Sequence, residues 1–97
     1  MYVYDLLVRV VWDPRKAASN QKKHGIRFSD AETVLFDTLA LTREDARAQG
    51  EQRFVSIGAD SSGRIIVVVF SYRGQTIRLI SARSATSSER KSYEEGI

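Results

Sequence analysis

A chain of 97 residues with 42% hydrophobic and 28% charged side chains can build one modest core and is neither disordered nor membranous in composition. Its longest apolar run, residues 65–70, falls far short of the roughly 20 residues a spanning helix needs, and the start, residues 1–7, lacks the basic and long apolar regions of a secretory signal. The absence of cysteine excludes disulfides and thiolate chemistry, so the expected protein is a single cytoplasmic domain over residues 1–97, with no cofactor, no metal and no membrane partner.

The net charge of +3 is unevenly spread. Residues 1–25 carry five basic side chains against two acidic, residues 26–52 three against six, and residues 53–97 seven against four. Such a basic–acidic–basic order fits a positive face for a polyanion and a separate surface for another partner, or equally a solvated surface of mixed sign.

In chain order, residues 8–12 alternate weakly and predict a strand that closes at Asp13-Pro14. Asp13 can cap the free amides of a following helix and Pro14 suits its first position, which predicts a helix to about His24, stopped by Gly25. On this helix Arg15, Ser19 and Lys22 form one stripe and Lys16, Asn20 and Lys23 the next, leaving Ala17, Ala18 and Gln21 to face the protein. Ser29-Asp30-Ala31-Glu32 has the pattern of a capping box and predicts a second helix burying Ala31, Val34 and Leu35. A short edge strand is expected over 39–42, then a polar loop through Gly50. Strand signals follow at 53–57, 64–72 and 76–82, an antiparallel meander. A second capping box, Thr86-Ser87-Ser88-Glu89, opens a last helix ended by Gly96. The expected class is α+β: a small antiparallel sheet packed with N-terminal helices and a C-terminal helix.

The segment from Thr76 to Glu94 is the most informative. It sets Arg78 and Arg83 on a strand that runs into a capped helix carrying Tyr93. Guanidiniums are permanently charged forks that fit phosphate oxygens two at a time, and a sheet holds them in place before a ligand arrives. RNA is the expected anion. Which arginines share a face depends on the turn at Arg73-Gly74. A two-residue turn there would put Arg64 and Arg83 on one face and Arg78 on the other. A three-residue turn through Gln75 would move Arg78 to the face of Arg64. The longer turn is preferred because arginine is not a favoured first residue of the tighter one.

Trp12-Asp13-Pro14, Lys16-Ala17-Ala18-Ser19-Asn20, Lys23-His24-Gly25, Phe28, Glu51-Gln52-Arg53-Phe54, Gly58, Arg78-Leu79-Ile80-Ser81-Ala82-Arg83, Ala85-Thr86, Glu89-Arg90 and Tyr93-Glu94 together resemble the BrnT family, in order and spacing. The resemblance implies a RelE-like toxin fold and a ribonuclease toxin of a type II toxin–antitoxin pair. It further implies a metal-independent endoribonuclease that cleaves RNA to inhibit translation and growth. The implied partner is a cognate ribbon-helix-helix-like antitoxin, with operator DNA met only through the toxin–antitoxin complex. Two departures stand out: residues 1–8 extend the usual start, and an Asp-His pair expected in the loop before Glu51 is here Ala46-Arg47.

Metal-free cleavage needs a proton removed from the 2′-hydroxyl, charge stabilised on the phosphorane and a proton given to the 5′ oxygen. Arg78 and Arg83 match the family's motif for the second task, with Arg64 and Arg53 as neighbours on other strands; the alternative for each is a surface ion pair. For proton transfer the candidates are His24, otherwise a helix C-cap, and Glu51, otherwise a partner of Arg53. Tyr93 either meets RNA or packs the last helix on the sheet, and Trp12 is read as core. Lys16, Lys22, Lys23, Arg53 and Arg73 are expected to bind RNA. Two other functions remain open on the sequence: a ParE-like topoisomerase poison, and a non-catalytic nucleic-acid-binding subunit of a repressor complex.

Overall fold

A computed structural model describes residues 8–96; most of the N-terminal extension lies outside them. Five strands form one sheet in the order β1-β5-β4-β3-β2. They are β1 (Arg9–Val11), β2 (Leu41–Glu44), β3 (Arg53–Ala59), β4 (Ile65–Arg73) and β5 (Thr76–Ser84). The meander β2 to β5 is antiparallel as expected, whereas β1 joins β5 in parallel. The helices are α1 (Pro14–His24), α2 (Phe28–Ala31), which continues as a 3-10 turn over Glu32–Phe36, and α3 (Ser87–Glu95). The α+β class read from the sequence is the one observed.

Strand alternation divides the sheet into two faces. Ile66, Val68 and Phe70 of β4, with Ile77, Leu79 and Ala82 of β5, point toward Ile26, Phe28, Ala31 and Val34 and form the core. Trp12 meets Phe28 edge to face, with ring centroids 6.0 Å apart. The deep seating of Phe28 explains one departure from the sequence reading. It occupies the first position of α2, so Ser29 lies inside the helix, and Arg27 at the cap makes no side-chain bond. The expected capping box at Ser29 is therefore not formed.

α1 has the expected limits: Asp13 accepts from the Arg15 amide at 2.8 Å, and Gly25 ends it at φ 72°. Its buried stripe is not the one expected. Ala18 and Gln21 are exposed and Asn20 is buried. β1 covers the edge of β5 only from Thr76 to Arg78, and beyond it the Asn20 side chain takes over. Its amide donates to Ala82 O at 2.8 Å and accepts from Ala82 N at 3.0 Å, and it also donates to Ile26 O at 3.2 Å. A side chain thus closes the ladder where the strand stops.

At the far end of the sheet Gly58 sits under the 3-10 turn, where an added Cβ would lie 3.0 Å from both Ala40 Cβ and Val34 Cγ1. Asp37 follows this turn and accepts from Ala59 N at 2.8 Å, Leu39 N at 2.9 Å and the Tyr93 hydroxyl at 2.6 Å. Burial opposes ionisation of Asp37, but these bonds outweigh it and lower its pKa, while the bond to Asp37 raises that of Tyr93.

The β4–β5 hairpin departs from both turns considered above. Arg73 pairs with Thr76, leaving Gly74 and Gln75 as the loop. Gly74, at φ 60°, stands first in the loop, the place where a tight hairpin turn of this kind demands glycine. The register then shifts: Phe70 pairs with Leu79, but Val69 pairs with Ser81, so Ile80 is a bulge. Strict alternation would put Arg78 and Arg83, five residues apart, on opposite faces. The extra residue brings both to the face away from the core.

α3 opens with the expected capping box, in which Thr86 accepts from Glu89 N at 3.2 Å and Glu89 accepts from Thr86 N at 2.9 Å. Arg83 binds the same carboxylate through both terminal nitrogens, at 2.8 and 2.9 Å. Led by these bonds from Arg83, the pKa of Glu89 falls from 4.5 to about 2.

Two outcomes test this description. Asn20→Leu strands both Ala82 backbone groups and should lower stability by roughly 2–6 kcal/mol in urea unfolding, at 1–3 kcal/mol per buried unsatisfied group. Glu89 has a folded pKa below its unfolded one, so its stabilisation is full above the ordinary carboxylate range and is lost as pH falls from about 4.5 toward about 2. Glu89→Gln should flatten the fall in melting temperature across that interval, with little change in its slope above pH 5.

Candidate active site

The sheet face away from the core is organised in ranks of side chains running across the strands. Arg53 of β3 pairs with Ser71 of β4, which pairs with Arg78 of β5, which is level with Val11 of β1. The next rank is Arg43, Val55, Val69 and Ser81, and the third is Leu41, Ile57, Val67 and Arg83. Neighbouring ranks lie two residues apart along β2, β3 and β4, about 7 Å, and three apart on β5 between Arg78 and Ser81, where the Ile80 bulge intervenes; strands are about 4.8 Å apart. A flat valine floor, Val55 and Val69, is therefore bordered by Arg53 and Arg78 on one side and Arg83 on the other. Over the floor opens a groove of about 480 Å³, walled by residues 45–47 of the loop after β2 and, opposite, by Arg83 with Glu89 of α3.

The first rank holds unused polar groups. Arg53 Nε, Ser71 Oγ and Arg78 Nε are buried with no hydrogen-bond partner among the described residues. Burying polar atoms unpaired is costly, and such groups are rare without a reason. Glu51 supplies the one counter-charge seen here: Oε1 is ion-paired with Arg78, and Oε2 lies 3.6 Å from Arg73. Arg53 forms no ion pair among the described residues. The rank therefore presents two guanidiniums and a hydroxyl against one carboxylate, an excess of positive charge. Its chemistry is that of an oxyanion site with a carboxylate at its edge.

Of the residues singled out from the sequence, the structure brings Arg53, Arg78 and Glu51 together, with Arg73 exposed at the margin. Arg83 is on the same face, but its guanidinium is held by Glu89. The expected pairing of Arg64 with Arg78 does not occur. Arg64 precedes β4 and binds Asp60 at 2.8 Å and Asp30 at 3.2 Å, tying the β3–β4 turn to α2. Burial pushes the Asp60 carboxyl up, but the bonds from Arg64 and Ser62 prevail and lower its pKa. Tyr93 is likewise committed, to Asp37. His24 stands apart from the arginine rank, in a separate cavity with Lys16, Lys23, Ile80 and Ser81. Lys22 is exposed on α1 and lines neither hollow.

Ser71 and Arg43 went unnoticed in the sequence. Ser71 could have been found as the lone polar residue between Phe70 and Tyr72 of a strongly apolar strand. Arg43 carried no such signal, because its membership of the valine rank depends on the β2–β3 register.

The family model for the ribonuclease toxin BrnT of type II toxin–antitoxin systems matches residues 12–89. The solved crystal structure of the Brucella abortus ribonuclease toxin BrnT is similar at 30% identity with a TM-score of 0.65, covering 82% of this chain and 99% of that one. No curated protein matches the chain. The matched span contains Arg53, Ser71, Arg78 and Glu51, and the chain belongs to the BrnT family of type II toxin–antitoxin ribonuclease toxins.

Proposed function

We propose that the chain is a metal-independent endoribonuclease that cleaves RNA on the outer face of the sheet. The observation that supports this most is the row of buried, unpartnered polar atoms on Arg53, Ser71 and Arg78. A phosphodiester placed against the row would accept from all three and satisfy them together. The ribose and base would lie on the valine floor.

In this reading the 2′-hydroxyl attacks its neighbouring phosphorus. The new bond is from the 2′ oxygen to phosphorus, the broken one from phosphorus to the 5′ oxygen, and the products are a 2′,3′-cyclic phosphate and a 5′-hydroxyl. Glu51 takes the 2′ proton, since phosphate arriving at Arg78 replaces the carboxylate there and leaves its oxygen free to accept. Arg53 and Arg78 stabilise the charge that builds on the phosphorane, and the open groove lets water protonate the departing oxygen. Arg83 acts at one remove, by fixing α3 as a wall of the groove, and Tyr93 does so through Asp37. Cleavage of cellular RNA would inhibit translation and growth. The cognate antitoxin, the protein partner that membership of a type II system implies, is in this reading a ribbon-helix-helix-like protein. Operator DNA is contacted only through the complex, and the site of action is the cytoplasm.

Purified protein should cleave RNA in excess chelator and leave DNA supercoiling unchanged. Arg78→Ala should reduce cleavage roughly 100- to 1,000-fold, the scale for losing one preorganised oxyanion donor, with a melting temperature near the parent's. Arg78→Lys keeps the charge without the fork and should recover only a small part. Arg64→Ala should do the reverse, lowering stability by roughly 1–3 kcal/mol because the buried Asp60 loses a partner, while cleavage stays close to the parent's. Undiminished cleavage by a folded Arg78→Ala protein would overturn the site.

A further inference from the structure

We propose that the cavity between α1 and the free edge of β5 is a second phosphate subsite, holding a phosphodiester of the same RNA strand next to the one that is cleaved. The inference rests on the ribonuclease reading for the identity of the strand, but not for the site. The cavity, of about 230 Å³, is lined by Lys16, Ser19, Lys23 and His24 of α1 and by Ile80 and Ser81 of β5, with no acidic side chain among them. Lys16, Lys23 and His24 form no ion pair among the described residues. That sets them apart from Arg15, Arg27, Arg47, Arg64, Arg73, Arg78 and Arg83, each of which has a carboxylate within 4.0 Å.

Position and rigidity add to charge. Lys16 and Lys23 are two turns apart on one stripe of α1, so both ammoniums reach the same side of the helix. Between them lies Asn20, whose bonds to both backbone groups of Ala82 fix the helix against β5. The cavity is thus held open by the fold instead of assembled by mobile side chains. It also adjoins the groove. Ser81 ends the valine rank and lines both hollows, and the Ile80 bulge is the reason its hydroxyl faces that way. A strand lying across the floor from Arg43 toward Ser81 would leave β5 directly over Lys16 and Lys23. The basic stripe of α1 then carries on the path of the backbone beyond the reacting phosphate.

Point-charge ammoniums hold phosphate through counterion release, which sets the readout. The probe is a single-stranded RNA 12-mer with 2′-O-methyl sugars throughout, which has no free 2′-hydroxyl and cannot be cleaved, and binding is followed by anisotropy over a range of KCl. Lys16→Ala/Lys23→Ala should weaken binding about tenfold at moderate salt and make the log–log salt slope shallower by about 1.4, since each lost contact on a single strand is worth about 0.7. Arg15→Ala removes an equal charge from the same helix outside the cavity and should leave the slope as in the parent. With cleavable RNA of the same length the double variant should raise KM several-fold, with a much smaller change in kcat, and the penalty should vanish on a dinucleotide too short to reach the cavity.

An unchanged slope in the double variant, or an equal change with Arg15→Ala, overturns the subsite even if the parent cleaves RNA. A shallower slope in a parent that cleaves nothing upholds the subsite and overturns the ribonuclease reading instead.

Discussion

The bidentate bond between the Asn20 amide and the backbone of Ala82 is the contact on which the arrangement of this molecule turns. β5 is paired along its whole length on one side, but on the other β1 reaches only Arg78. An exposed strand edge offers unpaired donors and acceptors to any passing chain. Asn20 occupies that edge with a side chain of the right shape, since a primary amide sets an N–H donor beside a carbonyl acceptor as a peptide does and has a second N–H to spare. It also bonds Ile26 O, so one residue joins α1, the segment leading into α2, and the central hairpin. Everything that faces the groove from β5 is positioned relative to this anchor.

The sequence was most legible where a local rule decides the outcome. Asp13-Pro14, Gly25 and the Thr86–Glu89 box set the helix ends, and each is observed. The strand centres emerged because Ile, Val and Phe repeat at the period of a strand. The failures are of another kind. Asn20 read as part of a basic stripe because helical periodicity reports which residues share a face and is silent on which face is buried; a single long-range bond reversed the assignment. Ser29 read as a cap because its spacing to Glu32 is right, yet burial of Phe28 started the helix two residues sooner. Arg64 read as a companion of Arg78 because a three-residue turn would have put both on one face, while Asp60 and Asp30, 4 and 34 residues away, claim it in space.

The arginines of this chain divide by what holds them. Arg83 and Arg64 each face a carboxylate that is itself hydrogen-bonded elsewhere, Glu89 in the cap of α3 and Asp60 in its turn. Those pairs are structural joints. Arg78 shares a single carboxylate with Arg73, and Arg53 has none. Composition cannot distinguish the two classes, since the same residue type serves both. The difference is a local shortage of acid on one rank of the sheet, and that shortage supplies the field an incoming anion would meet.

The bulge at Ile80 also decides what a one-residue slip would bury. In an unshifted ladder Arg83 would turn toward the core and Ala82 away from it, so the two alignments differ by a buried guanidinium as well as by the bonds from Ala82 to Asn20, which is 62 residues distant. The bulge leaves one residue of the ladder unpaired and makes the register of the hairpin unambiguous.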